Sequence, residues 1–202
     1  MLIFHELSPS PNSTKLRMAL RYKGIEFEAR EIDPQNRQPL IELSGQELAP
    51  VIEHDGRTLY DSEAILHYLE ANWREAPRLY AADRQGRYDS DQFKGDLESR
   101  VGMHWFPTFL HSIGRREQAD PQAVALFAED MAWLDAQLAD KDSFGRPIDD
   151  LRVAQWATYA FPGPALIERC GLFRVLARNY GLEPGSLPRL EAFLAPWQER
   201  LG

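Results

Sequence analysis

Hydrophobic positions along this chain keep two different rhythms. Leu2 to Leu7 is a short apolar run of strand length, and Leu16, Ala19, Leu20 and Lys23 then follow helical spacing up to a stop at Gly24. Glu26 to Ile32 alternates as a second strand, with Phe27 opposed to Glu26 and Glu28. A short helix is predicted over Pro39 to Leu43. Val51 to Glu53 and Thr58 to Tyr60 read as a hairpin closed by His54-Asp55-Gly56-Arg57. A helix from Ser62 to Trp73 buries Ile65, Tyr68, Leu69 and Trp73. The order strand-helix-strand-helix-strand-strand-helix demands a mixed four-stranded sheet. Its first crossover joins parallel strands, and its last pair is antiparallel.

Beyond Arg74 to Asp83 the strand signal ends. Val124, Phe127, Met131, Leu134 and Leu138 step by three and four behind Asp120-Pro121, an amphipathic helix with its start signal. Further helices are predicted over Asp150 to Tyr159 and Pro188 to Arg200. The expectation is an α/β N-terminal domain over 1–76 followed by an all-α C-terminal domain over 84–202. Neither internal repeats nor low-complexity tracts interrupt it.

Composition narrows the partners. With 44% hydrophobic and 27% charged residues among 202, the chain reads as globular. Its formal net charge of −8 argues against nucleic acid or an anionic membrane as partner, so any anionic ligand needs local donors. The single cysteine, Cys170, allows neither an intrachain disulfide nor a cysteine metal cluster, so no metal is expected. MLIFHELSPS lacks the basic start and longer apolar core of a secretion signal, and no apolar run nears the ~20 residues that span a bilayer. A cytoplasmic location is the expectation.

The candidate chemistry lies where the first strand feeds the first helix, at Ser8-Pro9-Ser10-Pro11-Asn12-Ser13. Ser10-Pro11 is a favourable cap and first-turn pair. A helix N-terminus stabilises a neighbouring anion by roughly 0.3–1 kcal/mol, and up to ~2 when partly buried. Each unit off a thiol's pKa of about 8.5 corresponds to about 1.36 kcal/mol, so such a turn suits a bound thiolate. Taken alone, Ser10 reads first as an ordinary capping serine. Ala49-Pro50-Val51 places proline just before a strand, where a cis peptide would leave the Ala49 backbone able to pair with an extended peptide. Asp61-Ser62 opens the third helix, with amides for a carboxylate and an aspartate for an ammonium.

These segments resemble the glutathione transferase superfamily over essentially the whole chain. The likeness is carried by SPNSTKLRMALRYKGIEFE (10–28), APVIEHDG (49–56) and DSEAILHYL (61–69). It implies a thioredoxin-like N-terminal domain, and glutathione as co-substrate with no bound cofactor. It also implies a small electrophilic second substrate and a homodimer. By position, Ser10 falls on the catalytic serine or cysteine. The Asn-Ser-x-Lys pattern of related bacterial transferases, the β-etherase-like ones included, points instead to Asn12 and Ser13. Both assignments stand. Ala49, Pro50, Asp61 and Ser62 correspond to the glutathione-binding positions. The chain departs from the family at Ser44-Gly45, at Leu48, and at Pro147-Ile148-Asp149-Asp150, where a Ser/Thr-x-x-Asp cap is usual; a weaker cap is expected there. Arg37 or Gln38 is a candidate for the glycine end. Tyr88, His104, Trp105 and Phe106 are candidates to line the substrate pocket, with core packing as the alternative for the last three. The implied activity is transfer of glutathione thiolate to a small apolar electrophile. The alternative is a catalytically weak protein-binding module built on the same scaffold.

Overall fold

Four strands and ten helices account for most of the chain in this computed structural model, which describes residues 1–201. The chain divides into one unit over Met1–Leu79 and a second from Tyr80 onward.

The first unit runs β1 (Leu2–Glu6), α1 (Pro11–Tyr22), β2 (Phe27–Glu31), α2 (Gln38–Ser44), β3 (Val51–His54), β4 (Arg57–Tyr60) and α3 (Ser62–Asn72). The sheet order is β2-β1-β3-β4, with β1 and β2 parallel and the other pairs antiparallel. The β3–β4 turn is tight because Asp55 and Gly56 both take positive φ, 49° and 73°. Phe4 on β1 and Ile52 on β3 lie opposite each other and are fully buried, as are Leu16 and Leu20 of α1 and Ile65, Leu66 and Leu69 of α3. Tyr68 and Trp73, expected in the core, are half-buried and form an aromatic group with His54. At the end of the sheet where β1 and β2 finish and β3 starts, Leu40 of α2 packs with Ile32 and Val51, and Leu7 and Ala49 rest against this small cluster.

β2 keeps the expected alternation only at its start, where Phe27 is half-buried between the exposed Glu26 and Glu28. Glu28, Ala29, Arg30 and Glu31 are all exposed, because β2 is an edge strand paired on one side only. Charge on an edge also discourages pairing with other chains.

The second unit is helical: α4 (Arg84–Leu97), a π-helical turn (Glu98–Gly102), α5 (Met103–Ser112), α6 (Pro121–Gln137), α7 (Pro147–Ala157), α8 (Pro164–Arg169), α9 (Leu172–Tyr180) and α10 (Pro188–Glu199). Asp120 caps α6 by accepting from the amides of Gln122 and Ala123, both at 3.2 Å. Phe127, Met131 and Leu134 are buried as the spacing predicts, while Val124 is only half-buried and Ala123 takes the inner position. Trp105 sits inside an aromatic core with Phe109, Trp156 and Tyr159. Tyr180 donates to the Trp105 carbonyl at 3.0 Å, and burial pushes its hydroxyl far above the usual phenol range.

The start of α7 differs from expectation. The helix begins at Pro147, three residues early, and Arg146 supplies no side-chain cap. Asp150 in its first turn reaches back instead. It accepts from the Phe144 amide at 2.6 Å and from the Ser143 hydroxyl at 2.9 Å, closing the preceding loop onto the helix. The expected cap loss is therefore offset by a side chain in the fourth helical position.

Candidate functional site

The register of the sheet gathers the sequence-predicted residues at one edge. His5 near the end of β1 lies opposite Val51 at the start of β3, and Val51 lies opposite Tyr60 at the end of β4. The segments that continue from this row are Leu7 to Ser13, Ala49-Pro50 and Asp61-Ser62. Leu7 and Ala49 share the apolar floor of Ile32, Leu40 and Val51.

The first of these loops is held by four hydrogen bonds. The Ser8 amide donates to Glu31 Oε1 at 2.6 Å, and the Ser10 amide donates to the Leu7 carbonyl at 2.8 Å. The Leu7 amide donates to Ser13 Oγ at 3.2 Å, and the Ile32 amide to the Glu6 carbonyl at 2.8 Å. The Ser8-Pro9 peptide is cis.

α1 then starts at Pro11, with Ser10 as its cap. Ser10 Oγ accepts from the Ser13 amide at a long 3.4 Å. Ser10 is half-buried, Asn12 exposed, and Ser13 only 2% exposed, its oxygen turned to the Leu7 amide. No acidic residue stands in the first turn of α1, so the positive end of the helix dipole is not neutralised from its own sequence.

The Ala49-Pro50 peptide is cis. Among the described residues no hydrogen bond engages the backbone of Ala49, which leaves a donor and an acceptor at the start of β3. Asp61 caps α3, its Oδ1 accepting from the amides of Glu63 and Ala64, both at 3.0 Å. Its φ of 68° is rare for a residue with a side chain, and such outliers gather at ligand sites. Ser62 is buried beside it.

Several charged groups frame this edge in ways that sequence reasoning missed. Lys15 Nζ, nearly buried, meets Glu63 Oε1 at 2.6 Å, joining the second turn of α1 to the first turn of α3. Arg17 pairs with Glu6 in a buried ion pair, and its guanidinium lies over the Phe27 ring at 5.1 Å. The available signal was Lys15 and Arg17 flanking Leu16 on a helix whose apolar face had to be buried. Arg37 turns to the loop before β3, donating to the Glu47 carbonyl at 3.2 Å, whereas Gln38 bonds Glu42. Leu48 is 67% exposed.

The four aromatic-lining candidates separate. Trp105 is core, and His104 Nδ1 is 2.6 Å from the buried Asp130, which also accepts from Arg100. Tyr88 and Phe106 are exposed. Among the described residues no group of three or more His, Cys, Asp or Glu is placed to hold a metal, and no helix is long and apolar enough to cross a membrane.

Comparison with known proteins agrees with this geometry. Residues 4–77 match the family model of the glutathione S-transferase N-terminal domain. A probable glutathione S-transferase, GSTU1 of Oryza sativa subsp. indica, is 31% identical over 151 residues, 71% of this chain and 64% of the relative. The match therefore spans just under two thirds of that relative's length. The structure of rice GST1 in complex with glutathione superposes with a TM-score of 0.70 at 24% identity, covering 100% of this chain and 87% of that one. The β-etherase LigF from Sphingobium sp. strain SYK-6 superposes with a TM-score of 0.70 at 19% identity, covering 99% and 98%. These two likenesses speak to the fold.

Proposed function

We propose that this chain, a member of the glutathione S-transferase superfamily, binds glutathione along this sheet edge and transfers its thiolate to a small apolar electrophile. The observation that carries the reading is the opening turn of α1: a serine cap, a long and weak capping bond, and no acidic side chain against the dipole. The Ser10 hydroxyl proton is free to donate to a sulfur placed there. Ser13 is the weaker candidate, since its buried oxygen already serves the Leu7 amide, and Asn12 stands exposed beside them. A dipole worth up to ~2 kcal/mol plus one hydroxyl donor lowers a thiol pKa of about 8.5 by roughly one to two units. That ionises roughly a quarter to three quarters of the bound thiol at neutral pH.

The rest of the tripeptide follows the same row. The Ala49 backbone pairs with its cysteinyl part as an added strand would. Asp61 Oδ2 takes the ammonium, while the Ser62 amide and hydroxyl take the γ-glutamyl carboxylate. Arg37, facing the Glu47 carbonyl, is the candidate for the glycine carboxylate. The sulfur attacks an electrophilic carbon, forming the thioether as a leaving group departs or a double bond accepts the pair. The chain contributes positioning and electrostatic stabilisation, with no covalent enzyme intermediate and no bound cofactor or metal. The reading includes a cytoplasmic homodimer, on the family resemblance, with no nucleic-acid or membrane partner.

Retention on immobilised glutathione and thioether formation with a panel of electrophiles test this. Ser10→Ala should raise the pKa of the bound thiol by about one unit and lower kcat/KM about 10- to 100-fold, the worth of a hydrogen bond to a charged group. Ser13→Ala should leave the thiol titration in place. Unaltered titration and turnover in Ser10→Ala would overturn the assignment. A chain that fails to bind glutathione at millimolar concentration would be the protein-binding module instead.

A further inference from the structure

The two helices that open onto the proposed site are tied together near both ends by buried lysine–glutamate bridges. At the site end, Lys15 of α1, 3% exposed, meets Glu63 of α3 at 2.6 Å. At the far end Lys23, which caps α1, meets Glu70 of α3 at 2.8 Å and donates to the Pro77 carbonyl at 3.0 Å. Early residues pair with early ones and late residues with late ones. Helices α1 and α3 therefore run in the same direction and begin side by side.

Two apolar side chains would hold these helices together as well. Taking a lysine and a carboxylate out of water offsets most of their attraction, so a buried pair adds little net stability over a packed apolar one. The best-attested use of such a pair is to fix register. Apolar surfaces can slide, whereas a short charge-assisted bond holds one offset.

That offset matters at the site end. Lys15 follows closely on Ser13, whose amide donates to the Ser10 hydroxyl. Glu63 follows closely on Asp61, whose carboxylate accepts from the Glu63 amide at 3.0 Å. The bridge thus joins the turn assigned to the sulfur to the turn assigned to the γ-glutamyl group. A ligand that touches both turns at once depends on their spacing; a thiol that reaches only one does not.

On the glutathione reading above, we propose that Lys15 and Glu63 are positioning residues that select for a thiol carrying a γ-glutamyl arm. Their bridge sets the distance between the two turns before the ligand arrives.

Isothermal titration of the full chain with glutathione and with cysteinylglycine, which lacks the γ-glutamyl arm, tests this. The native chain should prefer glutathione by ~100-fold or more, the worth of two contacts to charged groups. Glu63→Gln strands the buried lysine and should lower the melting temperature. Lys15→Met/Glu63→Gln removes both charges and should melt close to the native chain. Its affinity for glutathione should nevertheless fall about tenfold, while that for cysteinylglycine stays within about twofold. Lys23→Met/Glu70→Gln makes the same change at the far end, and glutamine there can still accept from the Leu79 amide. This variant should keep the native preference, because the near bridge aligns the two turns by itself. In every variant the bound thiol should titrate as in the native chain, since the loop before α1 keeps its own hydrogen bonds. Native preference in Lys15→Met/Glu63→Gln, an equal loss for both thiols, or the same fall in the far-end variant overturns the proposal. A native chain that binds both thiols equally overturns it alone; one that binds neither sinks the glutathione reading with it.

Discussion

Asp61 holds φ at 68° and ψ at 117°, a conformation that costs a side-chain-bearing residue about 1–3 kcal/mol. Its carboxylate partly offsets this by capping α3, and in the proposed reaction its other oxygen meets the ammonium of glutathione. The three contributions separate by substitution. Asp61→Asn keeps an oxygen cap and removes the charge; its KM for glutathione should rise about tenfold with stability near native. Asp61→Gly relieves the backbone and loses only a few tenths of a kcal/mol of capping, so its stability should also hold while glutathione affinity falls. Asp61→Ala should lose about 1 kcal/mol of stability as well. Thermal melts beside initial-rate kinetics read all three. Ser10 and Asp61 were legible in the sequence because capping is a local relation, settled within three residues. Lys15 and Arg17 were not. Their partners, Glu63 and Glu6, lie 48 and 11 residues away, and a charged residue in a helix is read as solvent-facing until a fold brings its counter-ion to it.

At the scale of elements, the alternation and turn signals carried furthest where a strand has neighbours on both sides. β1 and β3, central in the sheet, were visible as apolar runs, and the Asp55-Gly56 turn fixed the hairpin. β2 kept its strand pattern but not its burial, since edge position is decided by the partners of other strands. The start of α7 escaped because its cap runs backward, from a helical aspartate to a loop. Burial raises the Asp150 carboxyl above the ordinary value of 3.8, opposed by the Phe144 amide and the Ser143 hydroxyl and reinforced by Asp149 and Asp142. Between 3.8 and the raised value, the folded state holds a proton that the unfolded chain has released. Stability therefore falls as pH rises through that interval and levels off above it. Asp150→Asn should flatten this acid-side slope and stay within about 1 kcal/mol of native at neutral pH. Asp150→Ala strands the Phe144 amide and should cost about 1–3 kcal/mol. Urea unfolding from the acid range to neutrality distinguishes them.

For the whole molecule, the proposed glutathione site falls on one of the two units, Met1–Leu79. Glutathione should stabilise by mass action, about 2.7 kcal/mol at a hundredfold excess over Kd. Hydrogen exchange shows where. Glutathione should slow exchange in segments 8–14, 48–51 and 61–65 and leave 160–198 unchanged. Protection confined to 160–198 would contradict the assignment.

The loop that carries Ser10 owes its shape to its neighbours: Glu31 fastens Ser8, and Ser13 and the Leu7 carbonyl fasten the rest. The Ser10 side chain adds only one long bond to that frame. Position 10 is thus a socket whose occupant can be exchanged without rebuilding the wall around it. Cysteine there would stand at an unneutralised helix start, where a thiol is acidified and reactive. A single codon separates this scaffold from disulfide exchange.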